Sequence, residues 1–501
     1  MNNKLKLTVL IFFLVYLVVN LIILPDYGLS WDYHNHYYAG LKHLGIQLPS
    51  DSSKIPFSPP DPRETTDDPF GPFTQIIPAL SQTVFHDRFN ILPAGIAYNL
   101  PMVFFGVAGV FILFLFLLEA FGPVEAIIGS ISLGLLPQYF AYLHNNMKDI
   151  PNSTAFTLAV YLFYRLIKKP NWVSLLLASA SFAFAFNVKI NSVFIPVICL
   201  IYFLSVRKKS DFRILSYFLL APLFALLLWW PFWQDPVRKL LEIPGFYSRN
   251  TFNMPNLLWG KIYQSGINIP LFYPYSFLLV TTPPPVLIAA VVGLIFSFRK
   301  IFSRKKEYLL VILWFFIPQL RYLSPKMGAI DGVRHFMEVL PALSALAGIG
   351  TAIFRKTLIM RIGAMMTVVY LVAILVLFHP YQASYFNFVS GGIKGARGRF
   401  DIDFWGTPQK EAVLWLNKRA PAGAFVHIVM AQSTASVYLR KDLLDNLNKK
   451  PYRESDYTVL LNRQSFFPLY AIETYKDEKI KNNRTVFSVS RQNVPLVWVF
   501  N

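Results

Sequence analysis

Three polar clusters, each beside an apolar run, hold the residues whose types could do chemistry. Ser30-Trp31-Asp32-Tyr33-His34-Asn35-His36 follows the first apolar stretch. His144-Asn145-Asn146-Met147-Lys148-Asp149-Ile150-Pro151 joins two later ones, and Asp331-Gly332-Val333-Arg334-His335 precedes another. Lys189 stands in the very short connection Val188-Lys189-Ile190-Asn191. Asp32 and Asp149 are carboxylates that could accept a proton, and Lys148, Lys189 and Arg334 are cations that could hold a phosphate. Ionisable groups gathered at membrane boundaries point to function by default. Each has a plainer reading too. Trp and Tyr around Asp32 suit an interfacial belt, Asp149 before Ile-Pro suits a helix cap, and Arg334 or Lys189 could snorkel to the interface.

The elements that must position these residues are membrane-spanning helices. The chain has 501 residues, is 54% hydrophobic and 16% aromatic, and carries only 15% charged residues. Its mean hydropathy is +0.43. A soluble domain is roughly 25% charged, so the composition indicates an integral membrane protein. Apolar segments recur at 7–24, 95–118, 124–142, 152–167, 173–188, 190–205, 212–233, 272–298, 308–323, 335–353 and 361–378, which predicts about 11 transmembrane helices. The run 7–24 after Met1-Asn2-Asn3-Lys4-Leu5-Lys6 reads as a retained signal anchor.

The net charge of +20 would suggest nucleic acid in a soluble protein, but here it sits largely in short loops and reports topology. Lys4/Lys6, Arg165/Lys168/Lys169, Arg207 to Arg213, Arg299 to Lys306 and Arg355/Lys356/Arg361 all fall on the side of the N-terminus. The positive-inside rule makes that side cytoplasmic. The three polar clusters then share the extracytoplasmic face. Cys199 is the single cysteine, so no intramolecular disulfide can form, and no zinc-type spacing exists.

Residues 1–378 are expected to form one multi-span domain, with a long first outer loop at 25–94, and 379–501 a small extracytoplasmic α/β domain. The prolines Pro56, Pro59, Pro60, Pro62, Pro69 and Pro72 disfavour continuous helix in the first loop. The segment 73–89 could lie on the membrane surface, with His86-Asp87-Arg88 in a structural role. In the C-terminal domain Thr407-Pro408 opens a helix. Strand-like runs follow at 425–429, 457–461, 485–489 and 495–500.

Cations and carboxylates on one outer face have a chemical logic. Nucleotide sugars are cytoplasmic, so sugar transfer outside the membrane draws on a lipid-carried donor. Its phosphate needs cations, and the acceptor hydroxyl needs a base. At these residues the chain resembles the multi-span GT-C glycosyltransferases, in particular the bacterial protein-mannosyltransferase-like (family 39) branch. Trp31-Asp32 matches that branch's first-loop acid, and Asn145-Asn146-Met147-Lys148-Asp149-Ile150-Pro151 resembles its Asn-Pro-Lys-Asp-Ile-Pro motif, with Asn-Met in place of Asn-Pro. Tyr273-Pro274-Tyr275-Ser276-Phe277 with Thr282-Pro283, then Asp331 to Phe336, and His379-Pro380-Tyr381 through Gly392 follow in order, and Asp403-Phe404-Trp405-Gly406 resembles its Asp-Tyr-Trp.

The resemblance runs from about residue 30 to the C-terminus. It implies a polyprenyl-phosphate monosaccharide donor and an inverting transfer. Asp32 would be the general base, with Asp149 orienting it or the acceptor, or helping to hold a metal. Lys148 and Arg334, with Lys189, would neutralise the lipid phosphate. His34, His36, Asn145, Asn146, Asp331 and His335 would line the site. Many relatives carry a second acid beside the first, where this chain has Tyr33. No cofactor is thereby fixed, and a divalent metal is left open. The acceptor is a glycan, a lipid or a protein hydroxyl. The resemblance places the protein in a bacterial inner membrane, although nothing in the chain excludes a eukaryotic endomembrane. A lipid-linked substrate transporter or flippase is the alternative. It would place its site near the midplane within paired interrupted helices, and neither is evident in the sequence. A scaffold anchored in the membrane would not need so many spans.

Overall fold

Proline placement decides where the apolar runs become helices. A computed structural model describes residues 3–46, 70–206, 211–230, 233, 235–249, 251–354 and 357–501. The first run is helix α1 (Asn3–Ile23), which tightens to a 3₁₀ turn at Leu24–Asp26 around Pro25. Helix α2 (Tyr33–His43) follows, with Asp32 at its head. The Pro56–Pro69 stretch lies outside the described residues. The segment 73–89 is helical as expected, in α3 (Pro72–Gln82) continued by a wider turn at Thr83–Arg88.

Next come α4 (Ala94–Ala120), α5 (Pro123–Gly134), α6 (Pro137–Tyr142), α7 (Asp149–Lys168) and α8 (Trp172–Val188). They are followed by α9 (Phe194–Ser205), α10 (Phe212–Leu228) and α11 (Pro236–Arg249). A hairpin of β1 (Pro255–Leu258) and β2 (Lys261–Gln264), joined through Trp259-Gly260 at positive φ, is an element the sequence reading did not foresee. Then come α12 (Tyr273–Thr281), α13 (Pro284–Arg299), α14 (Glu307–Phe316), α15 (Leu340–Ala352) and α16 (Leu358–Phe378).

Several expected spans are therefore interrupted. The stretch 124–142 breaks before Pro137, 272–298 breaks at Pro283-Pro284, and 308–323 turns 3₁₀ at Ile317–Leu323 around Pro318. The stretch 335–353 starts as a 3₁₀ helix, Gly332–Val339, before α15 resumes with Pro341 in its first turn. Proline has no N–H and suits a first turn best, so these breaks fall at prolines, although Pro78, Pro101, Pro222 and Pro244 are carried inside α3, α4, α10 and α11. Among the described residues, three helices are long and apolar enough to cross a membrane: Val9–Asp26, Ala94–Ala120 and Arg361–Phe378. Shorter apolar helices include Trp172–Val188 and Phe212–Leu228.

Small residues let the helices meet closely, as apolar solvent requires when burial supplies little drive. A Cβ on Gly293 of α13 would collide with the Leu346 carbonyl of α15, and one on Gly350 with the Ala289 carbonyl. Helix α7 is buried along most of its length, polar Asn152, Ser153 and Thr157 included. It brings Asp149 into the interior.

The C-terminal segment carries a helix at Gln409–Arg419 and a four-stranded sheet in the order β3-β4-β6-β5. Its strands are β3 (Val426–Ile428), β4 (Tyr457–Leu461), β5 (Thr485–Arg491) and β6 (Val494–Phe500). The pair β3–β4 is parallel and the others antiparallel. Ala412, Val413 and Leu416 of the helix are buried, and Trp415 stacks on Phe487 of β5 at 5.0 Å. The segment meets the helical part at a loop around Trp405, whose carbonyl accepts from the Trp31 N–H at 3.1 Å.

Candidate active site

A cavity of about 520 Å³ opens between the head of α2, the start of α7, the end of α8 and the 3₁₀ helices before α15. Asp32, Lys148, Asp149, Lys189 and Arg334, drawn from four separate stretches of sequence, all line it. Asp32 is not a cap: its side chain makes no bond to the α2 backbone. Its Oδ2 accepts from Lys148 Nζ at 2.6 Å, and 30% of the side-chain surface stays open. No other hydrogen bond to that carboxylate occurs among the described residues. Asp149 is held differently. Its Oδ1 accepts from Lys189 Nζ at 2.5 Å, Oδ2 accepts from Asn146 Nδ2 at 2.9 Å, and Arg334 Nη1 lies 3.6 Å from Oδ2. Only 1% of the Asp149 side chain is exposed.

The cap on α7 is Asn146, whose Oδ1 accepts from the N–H groups of Lys148 (3.1 Å) and Asp149 (2.7 Å). That arrangement frees the Asp149 carboxylate for the cavity side and keeps a negative charge at a helix N-terminus, where the dipole favours it.

The electrostatics follow from burial and pairing. Burial by itself would raise Asp32, but the Lys148 ammonium, backed by Arg334 and His36, holds it well below the usual carboxylate range. For Asp149 burial again pushes up, and Lys189, Arg334 and Lys148 outweigh it. Burial lowers Lys189 despite Asp149. Burial also works against the Arg334 guanidinium, but Asp331 and Asp149 more than offset it. His36 is pushed down to about 3, by burial and then by Lys148. It is a neutral imidazole at ordinary pH, and its Nδ1 has no hydrogen-bond partner among the described residues.

The structure divides the remaining candidates. His36 and His335 line the cavity, whereas His34, two residues from His36 on α2, packs edge-on to Tyr33 at 4.7 Å. Positions i and i+2 of a helix face apart. Asn145 donates to the Gly28 carbonyl at 3.3 Å, and His144 stacks on Tyr27 at 3.9 Å, both off the cavity. Asp331 stands behind Arg334 rather than in the cavity, accepting from its Nε at 2.8 Å. His86 accepts a purely local role, with Nδ1 2.9 Å from the Leu92 carbonyl.

Sequence reasoning missed Arg321, which also lines the cavity. Its Nη1 lies 3.3 Å from Oε1 of the fully buried Glu338. It missed Asn191, which bonds the same carboxylate at 3.3 Å. The signal was available: an Arg and a Glu inside two apolar runs need each other. Asp401 and Asp403 are both buried, and burial pushes Asp403 up to about 6. Asp403 Oδ1 accepts from the N–H groups of Trp405 and Gly406 at 3.1 and 2.8 Å, fixing the loop under Arg334. The donor set does not suit a metal. Lysines occupy both cavity carboxylates, and no group of three or more His, Cys, Asp or Glu able to hold one occurs among the described residues.

Residues 72–233 match the family model described as dolichyl-phosphate-mannose-protein mannosyltransferase. Over nearly the whole length, the fold is similar to that of ArnT from Cupriavidus metallidurans in its apo state. The TM-score is 0.54 at 13% identity, covering 99% of this chain and 98% of that one. The chain has the GT-C fold. A second structure, ArnT from the same organism bound to undecaprenyl phosphate, gives a TM-score of 0.52 at 13% identity, covering 98% and 97%. No curated protein matches the sequence. The family match spans α3 to α10, which includes Lys148, Asp149 and Lys189.

Proposed function

We propose that this protein is a membrane glycosyltransferase that moves a monosaccharide from a polyprenyl-phosphate donor to an acceptor hydroxyl, with inversion at the anomeric carbon. The observation that carries this reading is the pairing of two unlike carboxylates with several cations in one cavity. Asp32 is partly open and engaged at one oxygen only; Asp149 is closed off and engaged at both. The open one suits a general base and the closed one suits a positioning group. The ArnT structure with undecaprenyl phosphate supports a lipid phosphate as the donor's carrier.

Asp32 takes the acceptor hydroxyl's proton as its oxygen attacks the anomeric carbon. The bond from that carbon to the phosphate oxygen breaks, and the electron pair leaves with the phosphate. Lys148 and Arg334, with Lys189 and Arg321 alongside, neutralise the departing charge in a site shielded from bulk water. In the free protein these cations rest on the protein's own acids, so an incoming phosphate exchanges partners with them. Drawing Lys148 off Asp32 raises that carboxylate's basicity as the donor arrives. His36, neutral and unpartnered at Nδ1, suits a sugar hydroxyl. The cavity would face the extracytoplasmic side of about 11 spans, with a cytoplasmic N-terminus and residues 379–501 as a separate outer domain.

The test is sugar release from radiolabelled polyprenyl-phosphate monosaccharides by purified protein in lipid. Wild type should transfer or slowly hydrolyse one of the panel. Asp32→Asn should lose roughly 10²–10⁴ in rate, the usual span for general-base help, and Asp149→Asn a comparable amount. Near-normal turnover by Asp32→Asn would remove it from the mechanism. No turnover by wild type, with labelled lipid moved across the bilayer, would replace the reading with a flippase.

A further inference from the structure

Arg334 does not reach the cavity alone. Behind it Asp331, in a left-handed backbone conformation (φ 58°), accepts from Arg334 at Oδ2 and from Arg463 at Oδ1, the latter at 2.6 Å. Arg463 belongs to the C-terminal segment, two residues past β4. The three side chains are 6%, 2% and 4% exposed, so this is a buried Arg-Asp-Arg triad. Arg463 also donates to the Phe404 carbonyl at 2.8 Å and lies 3.7 Å from the Phe466 ring centroid. Arg334 lies over the next residue, Trp405, at 4.5 Å. The Trp405 carbonyl in turn accepts from the Trp31 N–H, one residue from Asp32.

Charge counting shows what the second arginine does. With Arg334 and Asp331 alone the pair would be neutral, and the carboxylate would hold the guanidinium with both oxygens available to it. Arg463 takes one of those oxygens and leaves the triad with one net positive charge directed at the cavity through Arg334. A buried pair in low dielectric is strongly held, so sharing Asp331 decides how much of Arg334 remains for a phosphate.

We infer that Arg463 is a positioning residue that makes Arg334 available to the donor phosphate, so that the C-terminal segment completes the site. The inference rests on the proposed glycosyltransferase reading. It concerns a residue that touches neither substrate nor the cavity, through a contact that crosses from the sheet-bearing segment to the helical part. A packing role alone would make the same residue matter for stability, so the test must separate the two.

The full chain in lipid nanodiscs is titrated with undecaprenyl phosphate, and melting is followed on the same samples. Arg463→Met should weaken binding roughly 10–100-fold, because the unshared Asp331 then grips Arg334. Adding Asp331→Asn removes that grip, so the double variant should bind within about threefold of Asp331→Asn alone. Such opposed coupling is what a double-mutant cycle isolates. Arg463→Lys, which keeps the charge, should recover part of the affinity. Arg440 supplies the control. It too bonds backbone carbonyls of the C-terminal segment (Asn417 and Ala420, 2.7 Å each), and Arg440→Met should lower melting with binding unchanged.

Arg463→Met binding like wild type, or a double variant weaker than both singles, overturns the inference. Should Arg463→Met fail to fold, Arg463→Lys and Asp331→Asn carry the test, and an affinity unchanged in both overturns it equally. A wild type that binds no undecaprenyl phosphate overturns the lipid-phosphate reading itself, a result distinct from any difference among variants.

Discussion

Lys148 has two demands on one ammonium: it neutralises Asp32 in the free protein, at 2.6 Å, and is placed to meet a phosphate in the same cavity. Removing it should act on both. The Asp32 carboxyl is now held below the usual range, burial pushing it up and Lys148 pulling it down further. A base with a depressed pKa stays ionised to low pH, so the acidic limb of the wild-type kcat/KM profile, which reports the free enzyme, should lie below about 4. Lys148→Met leaves burial unopposed by its main partner, and the limb should move to higher pH while donor KM rises. A pH–rate series on both proteins checks this, and an unmoved limb would separate Asp32 from the rate. The charged residues beside apolar runs were legible in the sequence because such groups must find solvent, lipid headgroup or partner. Their pairing was not. Nothing local says that Lys148 meets Asp32 while Lys189 meets Asp149. Arg463, on the distant C-terminal segment, shows no pattern at all linking it to Asp331.

Helices supply the positions, and their breaks supply the cavity. The 3₁₀ segments Ile317–Leu323 and Gly332–Val339 carry Arg321 and Arg334, and each lies against a proline that ends or starts regular helix. An unbroken helix of 3.6-residue period would place Arg334 and Glu338 one turn apart on one face. The observed backbone, non-helical at Phe336, instead sends Arg334 to Asp331 and Glu338 to Arg321. The apolar runs are readable in the sequence, but nothing local separates the prolines at the breaks (Pro137, Pro283, Pro318 and Pro341) from Pro101 and Pro222, which continuous helices carry inside them. The scaffold behind the breaks is tight. Gly350→Leu would drive a side chain into the Ala289 carbonyl of α13, a backbone obstacle that no rotamer avoids. Overpacking typically costs about 1–3 kcal/mol and more when backbone must move, so this variant should melt well below wild type or fail to purify. Gly363 on α16 has nothing within 4 Å of an added Cβ, and Gly363→Leu should leave the melting curve nearly unchanged. Equal effects from the two would mean that α13 and α15 do not pack as described.

At the scale of the whole molecule the question is which side of the bilayer each part faces, and the chain offers a clean way to ask it. On the expected 11 spans the basic residues concentrate in alternate connections, and the positive-inside rule would then leave residues 379–501 on the far side from Lys168 and Lys169. The strands at Tyr457–Leu461 and Val494–Phe500 were legible by alternation and β-branched content, whereas the hairpin at 255–264 was hidden, since its four-residue strands are too short to show a period. Through Leu258 that hairpin bridges Phe400, and through Arg463 the sheet-bearing segment reaches Asp331. The site is thus enclosed by parts that must share one side of the membrane. The single cysteine, Cys199, is buried, so the chain is nearly silent to maleimides as it stands. In a Cys199→Ser background, exposed Lys441→Cys should react with a membrane-impermeant maleimide added outside intact cells, and exposed Lys169→Cys only after the membrane is opened. The reverse pattern would turn the cavity toward the cytoplasm, where nucleotide sugars are at hand. The argument for a lipid-carried donor would then lose its reason.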